Sequence, residues 1–174
     1  MDERYPIGKF TLAKDIDTQV LGNWINDIEE LPTLLRISCA RLDEKALDTC
    51  YREGGWTARQ VVHHLADSHM NSYLRFKWSL TEDEPTIKAY DEKLWALEKD
   101  AKTAEIDMSL DLIEALHGKL TAVLKNMDEL DFKKGFFHPE SNKRWQLDKT
   151  LAVYAWHGKH HLGHLDLSYQ KSKS

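Results

Sequence analysis

The sequence predicts an all-α protein, a four-helix bundle with one long crossover connection. Apolar residues recur at intervals of three and four along four long stretches, the period of a helix with one buried face. Almost nothing in the chain reads as strand, so helices packed on helices are the natural architecture. The polar segment 85–107 is far longer than antiparallel neighbours need, which marks the crossover. At 174 residues the chain makes a single domain, 1–174, with room for one core.

Residues 1–15 read as an extended lead-in punctuated by Pro6 and Gly8. The first helix spans about Asp17 to Leu42 on Val20, Leu21, Trp24, Ile25, Ile28, Leu31, Leu35 and their neighbours. Pro32 either kinks it or ends it early and starts another. Residues 43–55 connect to a second helix that begins sharply. Thr57 with Gln60 three residues on makes a capping box, and Val61 to Leu80 follows without a breaker until Pro85. Within 85–107 a short helical turn fits around Glu92 to Lys99. The third helix runs from about Ser109 to Met127 on Leu110, Ile113, Leu116, Leu120, Val123 and Leu124. Gly135 to Pro139, then Lys143 to Leu147, fit a small hairpin or an irregular loop. The fourth helix covers about Asp148 to Gln170.

That last helix holds four of the nine histidines within eight residues: His157, His160, His161 and His164. His157 and His161 are four apart, so their rings lie on one face a single turn apart, a spacing that lets two imidazoles grip one transition metal. At about 100° per residue, His161 falls about 40° from His157 and His164 about 20° to the other side. Lys159 and Asp166 fall on the opposite face, so the histidine face points inward. Buried imidazoles need a partner, and a metal supplies one; hydrogen-bonded core histidines are the alternative.

On the second helix His64 borders the apolar stripe and is the better ligand candidate, His63 pointing further away. His69 lies nearer mid-stripe, where a satisfied core histidine is an equally good account. His160 and His164 are a reserve pair with the same spacing. Ser68, Asn71 and Arg75 follow His64 along one line, either a solvated face or a pocket wall. Asp67 is a candidate to orient a ligand imidazole from behind, or a surface charge. Two histidines from one helix and one from another leave an open fourth position, the layout of catalytic zinc; nickel is the second candidate.

Composition excludes several classes. The net charge of −5 with both signs interspersed argues against a nucleic-acid binder. No segment reaches membrane-span length, and the first residues lack the apolar run of a signal peptide. Cys39 and Cys50 read as free thiols of a reducing cytoplasm, remote from the inner faces of the motif helices. Gly-x-Ser-x-Gly is absent.

The stretch from Tyr51 to Tyr73, with Gly54-Gly55-Trp56-Thr57 and His63-His64-Leu65-Ala66-Asp67, closely resembles the YfiT branch of the DinB-like superfamily. The likeness runs from Tyr5-Pro6-Ile7-Gly8 through Gly135-Phe136-Phe137-His138-Pro139 to the Trp156-His157 helix. It implies a four-helix bundle in a family of metal-dependent hydrolases with bacillithiol S-transferases among them. Matched by position, it makes His64, His157 and His161 the ligands of one divalent metal, the trio that helix geometry also favours. It further implies a homodimer. Gly158 and Gly163 depart from a good ligand helix, each costing about 1 kcal/mol against Ala.

Two enzyme readings share this ligand set. The metal lowers the pKa of a bound water for hydrolysis, or holds a low-molecular-weight thiol such as bacillithiol as the thiolate that attacks an electrophile. A non-catalytic metal-binding bundle of the stress response is the alternative, with the fourth position closed by a residue such as His164 or Asp67.

Overall fold

The computed structural model describes residues 2–174. Helix α1 spans Thr18–Cys39, capped by Asp17, whose carboxylate accepts from the Val20 amide at 2.8 Å. Pro32 does not end it; the helix runs on for two turns. The single turn α2, Glu44–Leu47, sits in the following connection. The capping box is present at the start of α3, Ala58–Thr81, with Thr57 and Gln60 each satisfying the other's backbone amide. Two short helices, α4 (Glu92–Trp95) and α5 (Lys99–Thr103), lie in the crossover before α6, Asp107–Lys125. The short α7, Glu129–Lys133, then leads to the strands β1, Gly135–His138, and β2, Lys143–Gln146. These pair antiparallel from Gly135–Gln146 to His138–Lys143, so the hairpin rather than the irregular loop forms. Helix α8 closes the chain at Leu147–Lys173.

Four long helices make the bundle, and their contacts define its topology. Ion pairs Asp27–Lys159 and Arg41–Asp166 place α1 parallel to α8. Arg36 with Asp111 and Glu114, and Glu29 with Lys125, place α1 antiparallel to α6. His63–Ser109 and His69–His117 set α3 parallel to α6. The long connection 85–107 is therefore a true crossover: it carries the chain back along the bundle between two parallel neighbours. On its way Gln60 Nε2 donates to the Ala96 carbonyl at 2.6 Å and the Ile87 amide to that of Phe137 at 3.1 Å.

Burial divides the core in two. One apolar cluster gathers Leu35, Leu47, Val61, Leu65, Ile113 and Leu165; the other gathers Ile28, Phe76, Leu120, Phe136, Leu147 and Leu151. Between them, on three of the four helices, lies a polar layer: His69 of α3, His117 of α6, and His157 and His161 of α8. No helix among the described residues is long and apolar enough to cross a membrane.

Candidate metal centre

The polar layer is where α3 and α8 present their histidines to each other. His64, His157 and His161 each place one ring nitrogen within 4.8 Å of the other two. The Nε2 atoms of His64 and His157 face each other at 3.2 Å. Local sequence fixes this approach. The capping box pins the start of α3 two turns before His64. Gly158, beside the candidate ligand His157, lets that helix close on α1: a Cβ there would lie 2.5 Å from Leu31 Cδ2. At Gly163 a Cβ would meet Pro6 Cγ at 2.8 Å, so the N-terminal lead-in seats against α8. The two glycines cost helix propensity and return close packing on both sides of the ligand pair.

Burial holds these rings neutral. Desolvation lowers His64 to about 4, reinforced by His164 and His160, and depresses His157 and His161 well below the ordinary histidine value. A neutral imidazole offers one lone pair, which is the form that binds a metal. Two facing nitrogens 3.2 Å apart can share one proton between them, or both can point lone pairs at a cation. The donor set fits a divalent ion of the zinc or nickel kind, for which imidazole is a preferred ligand.

Each of the other candidates has a definite place. His63 turns away, Nδ1 against Ser109 Oγ at 2.8 Å and Nε2 against the Ala104 carbonyl at 3.2 Å. His69 is fully buried and joins the centre from behind, its Nε2 3.2 Å from Nδ1 of His157. His160, His161 and His164 form a second cluster that shares His161. There the His164 ring stacks on Tyr51 with centroids 3.9 Å apart, and that of His160 on Trp156 at 4.4 Å. His164 Nδ1 lies 3.2 Å from Nδ1 of His161, on the side of that ring away from His64 and His157 in the second cluster. Asp67 makes no hydrogen bond to His64; burial and the nearby Asp100 raise it to about 6. Asn71 is spent on the Asp67 carbonyl at 2.9 Å. Cys39 is buried, its thiol pushed up to about 12 by desolvation, while Cys50 is exposed; neither joins the centre.

Sequence reasoning missed His117. Its Nδ1 lies 2.6 Å from the Ile28 carbonyl and its Nε2 2.9 Å from Nδ1 of His69. A lone histidine on an apolar stripe gives little warning, but its partner does: Pro32, four residues after Ile28, has no amide to offer that carbonyl.

The centre opens to solvent. A cavity of about 390 Å³ has the three histidines on its floor and Ser68, Tyr90, His138 and Glu140 among its walls, drawn from α3, the crossover and the hairpin. A narrower pocket of about 160 Å³ adjoins it beside His157, walled by Phe136, Trp145 and Val153. Arg75 lines both. Its Nη1 donates to the Tyr154 hydroxyl at 3.1 Å, its guanidinium lies 5.7 Å from the Phe136 ring, and it makes no ion pair among the described residues. Of the polar line on α3, Ser68 and Arg75 are thus pocket wall and Asn71 is not.

The class in view is a four-helix bundle whose second and fourth long helices bring three histidines, able to hold a metal, to an open pocket. A family profile of the DinB superfamily matches residues 27–165, and the chain belongs to that superfamily. A Bacillus subtilis relative, YfiT, is 48% identical over 161 residues, covering 92% of this chain and 90% of that one. One from Oceanobacillus iheyensis is 49% identical over 165 residues, covering 95% of each. Both are named, provisionally, as metal-dependent hydrolases. The solved structure of Bacillus subtilis YfiT superposes with a TM-score of 0.94 at 45% identity over 98% of both chains. It is described as a probable metal-dependent hydrolase with an unusual four-helix bundle topology.

Proposed function

We propose that this chain is a metal-dependent hydrolase acting on a small molecule, with one divalent cation, zinc before nickel, held by His64, His157 and His161. The observation that carries the reading is the meeting of three neutral imidazole nitrogens, from two helices, on the floor of an accessible pocket. When bound, the cation supplies a Lewis acid that brings the pKa of a water toward neutrality. The names given to the relatives support the same chemistry.

The chain's own groups do the rest. His64, His157 and His161 would hold the cation through neutral imidazoles, which would leave it its full charge. Arg75 and the Tyr154 hydroxyl stand at the junction of the two cavities, where they hold a polarised carbonyl oxygen or an anionic substituent of the substrate. Phe136, Trp145 and Val153 give its apolar part a dry wall.

A second reading is transfer of a low-molecular-weight thiol, bacillithiol or a relative, to an electrophile. It is favoured by one feature: no carboxylate among the described residues hydrogen-bonds to the trio, and a thiol attacking as the thiolate needs no general base beyond the metal. Incubating the zinc-loaded protein with bacillithiol and monochlorobimane, in parallel with ester and amide substrates, separates the two. Metal-dependent hydrolysis in the second arm is the expected result. Conjugation alone selects the transferase. No turnover in either arm selects a non-catalytic binding bundle.

A further inference from the structure

We propose that Pro32 and the buried pair His117 and His69 form a proton-ordering relay that forces His157 to present its Nε2 lone pair to the centre. The inference rests on the metal reading for its purpose, but its geometry is independent of that reading. Each link is a contact of the fold: Ile28 carbonyl to His117 Nδ1 at 2.6 Å, His117 Nε2 to His69 Nδ1 at 2.9 Å, and His69 Nε2 to His157 Nδ1 at 3.2 Å.

The order of protons follows from the far end. A carbonyl can only accept, so His117 Nδ1 must carry a proton. A neutral His117 then has a bare Nε2, which must accept from Nδ1–H of His69. That leaves His69 Nε2 bare, and it must accept from Nδ1–H of His157. The remaining nitrogen of His157 is Nε2, which faces His64 Nε2 at 3.2 Å. With three neutral rings no other arrangement satisfies every contact, because the Ile28 carbonyl has no proton to give back.

Pro32 is the origin of the chain. In an unbroken helix the Ile28 carbonyl would accept from the amide of residue 32, and proline has none. The carbonyl is thereby freed inside the core and points its lone pair at α6. The proline that looks like a helix defect acts, three residues away through space, on a ligand atom of another helix. His161 has a shorter counterpart in His164, whose Nδ1 is 3.2 Å from its own Nδ1. His69 and His117 are positioning residues: they touch no substrate, and they fix the tautomer and ring orientation of a group that does.

The test reads the tautomers directly. Long-range nitrogen–proton spectra of the metal-free native protein should show His117, His69 and His157 all protonated on Nδ1, the minor form of free histidine. His157 found protonated on Nε2 overturns the relay, and this arm needs no variant to fold. Zinc affinity is measured in parallel by competition with a chromophoric chelator. His117→Leu should weaken binding about 10–100-fold, the usual consequence of removing an outer partner of a ligand histidine. His117→Gln, with one donor and one acceptor, should restore most of it. Pro32→Ala, which returns an amide to the Ile28 carbonyl, should weaken binding by less than His117→Leu. Native affinity in folded His117→Leu overturns the proposal. A native chain that binds no zinc overturns the metal reading instead, and the tautomer spectrum still decides the relay.

Discussion

Helix α8 carries two histidine pairs at the same spacing of four, and they meet different fates. His157 and His161 converge with His64 from α3, and each has a second histidine at its far nitrogen. His160 and His164 lie flat on Trp156 and Tyr51, and Nδ1 of His160 is buried with no partner among the described residues. Spacing alone does not distinguish the pairs. The difference comes from what faces them: a histidine from a second helix and hydrogen bonds behind on one side, aromatic faces on the other.

Alanine substitutions should break the comparison most sharply. His157→Ala with His161→Ala should abolish stoichiometric zinc, read by elemental analysis after dialysis. The matched double variant of His160 and His164 should keep one metal per chain. Equal loss in both would mean that the second cluster is the real centre.

The next effect is in pH. Unfolded histidine titrates near 6.5, while burial holds His64 and His164 at about 4 in the native state. Below 6.5 the unfolded chain takes up protons that the native chain refuses. Stability is therefore full above 6.5 and falls as pH drops toward 4, by about 1.4 kcal/mol per group for each unit of mismatch. Urea midpoints at pH 7.5 and 5.0 measure the fall. His164→Phe, which keeps a ring against Tyr51, should lessen it. A flat profile would show that the histidine layer is not sealed from water.

The smallest effect concerns the glycines. Gly158→Ala gains helix propensity but drives a methyl against buried Leu31, for a net loss of about 1 kcal/mol. Gly118→Ala on exposed α6 meets nothing within 4 Å and should stabilise by about 0.5–1 kcal/mol. Thermal midpoints moving the same way in both would mean that Gly158 is not a packing contact.

The long helices were legible because each carries an apolar stripe over many turns, and α3 carries its cap in Thr57 and Gln60. The convergence of the trio was legible because His157 and His161 share one helix face. The turns α2 and α7 left no stripe; only the capping carboxylates of Asp43 and Asp128 hint at them. That His117 takes up the Ile28 carbonyl, which Pro32 marks as vacated, was invisible for a different reason. Their meeting depends on α1 and α6 lying side by side in the up-down-down-up order, which no local pattern encodes. The reason for Gly158 likewise appeared only once Leu31 stood opposite it.

In the proposed centre three histidines hold a metal with a position left open. X-ray absorption at the zinc edge tests it most directly, on the loaded protein before and after adding a small thiol. Three imidazole nitrogens at about 2.0–2.1 Å are expected, with the remaining light-atom ligand replaced on thiol addition by one sulfur near 2.3 Å. Four protein ligands and a spectrum unchanged by thiol would contradict it.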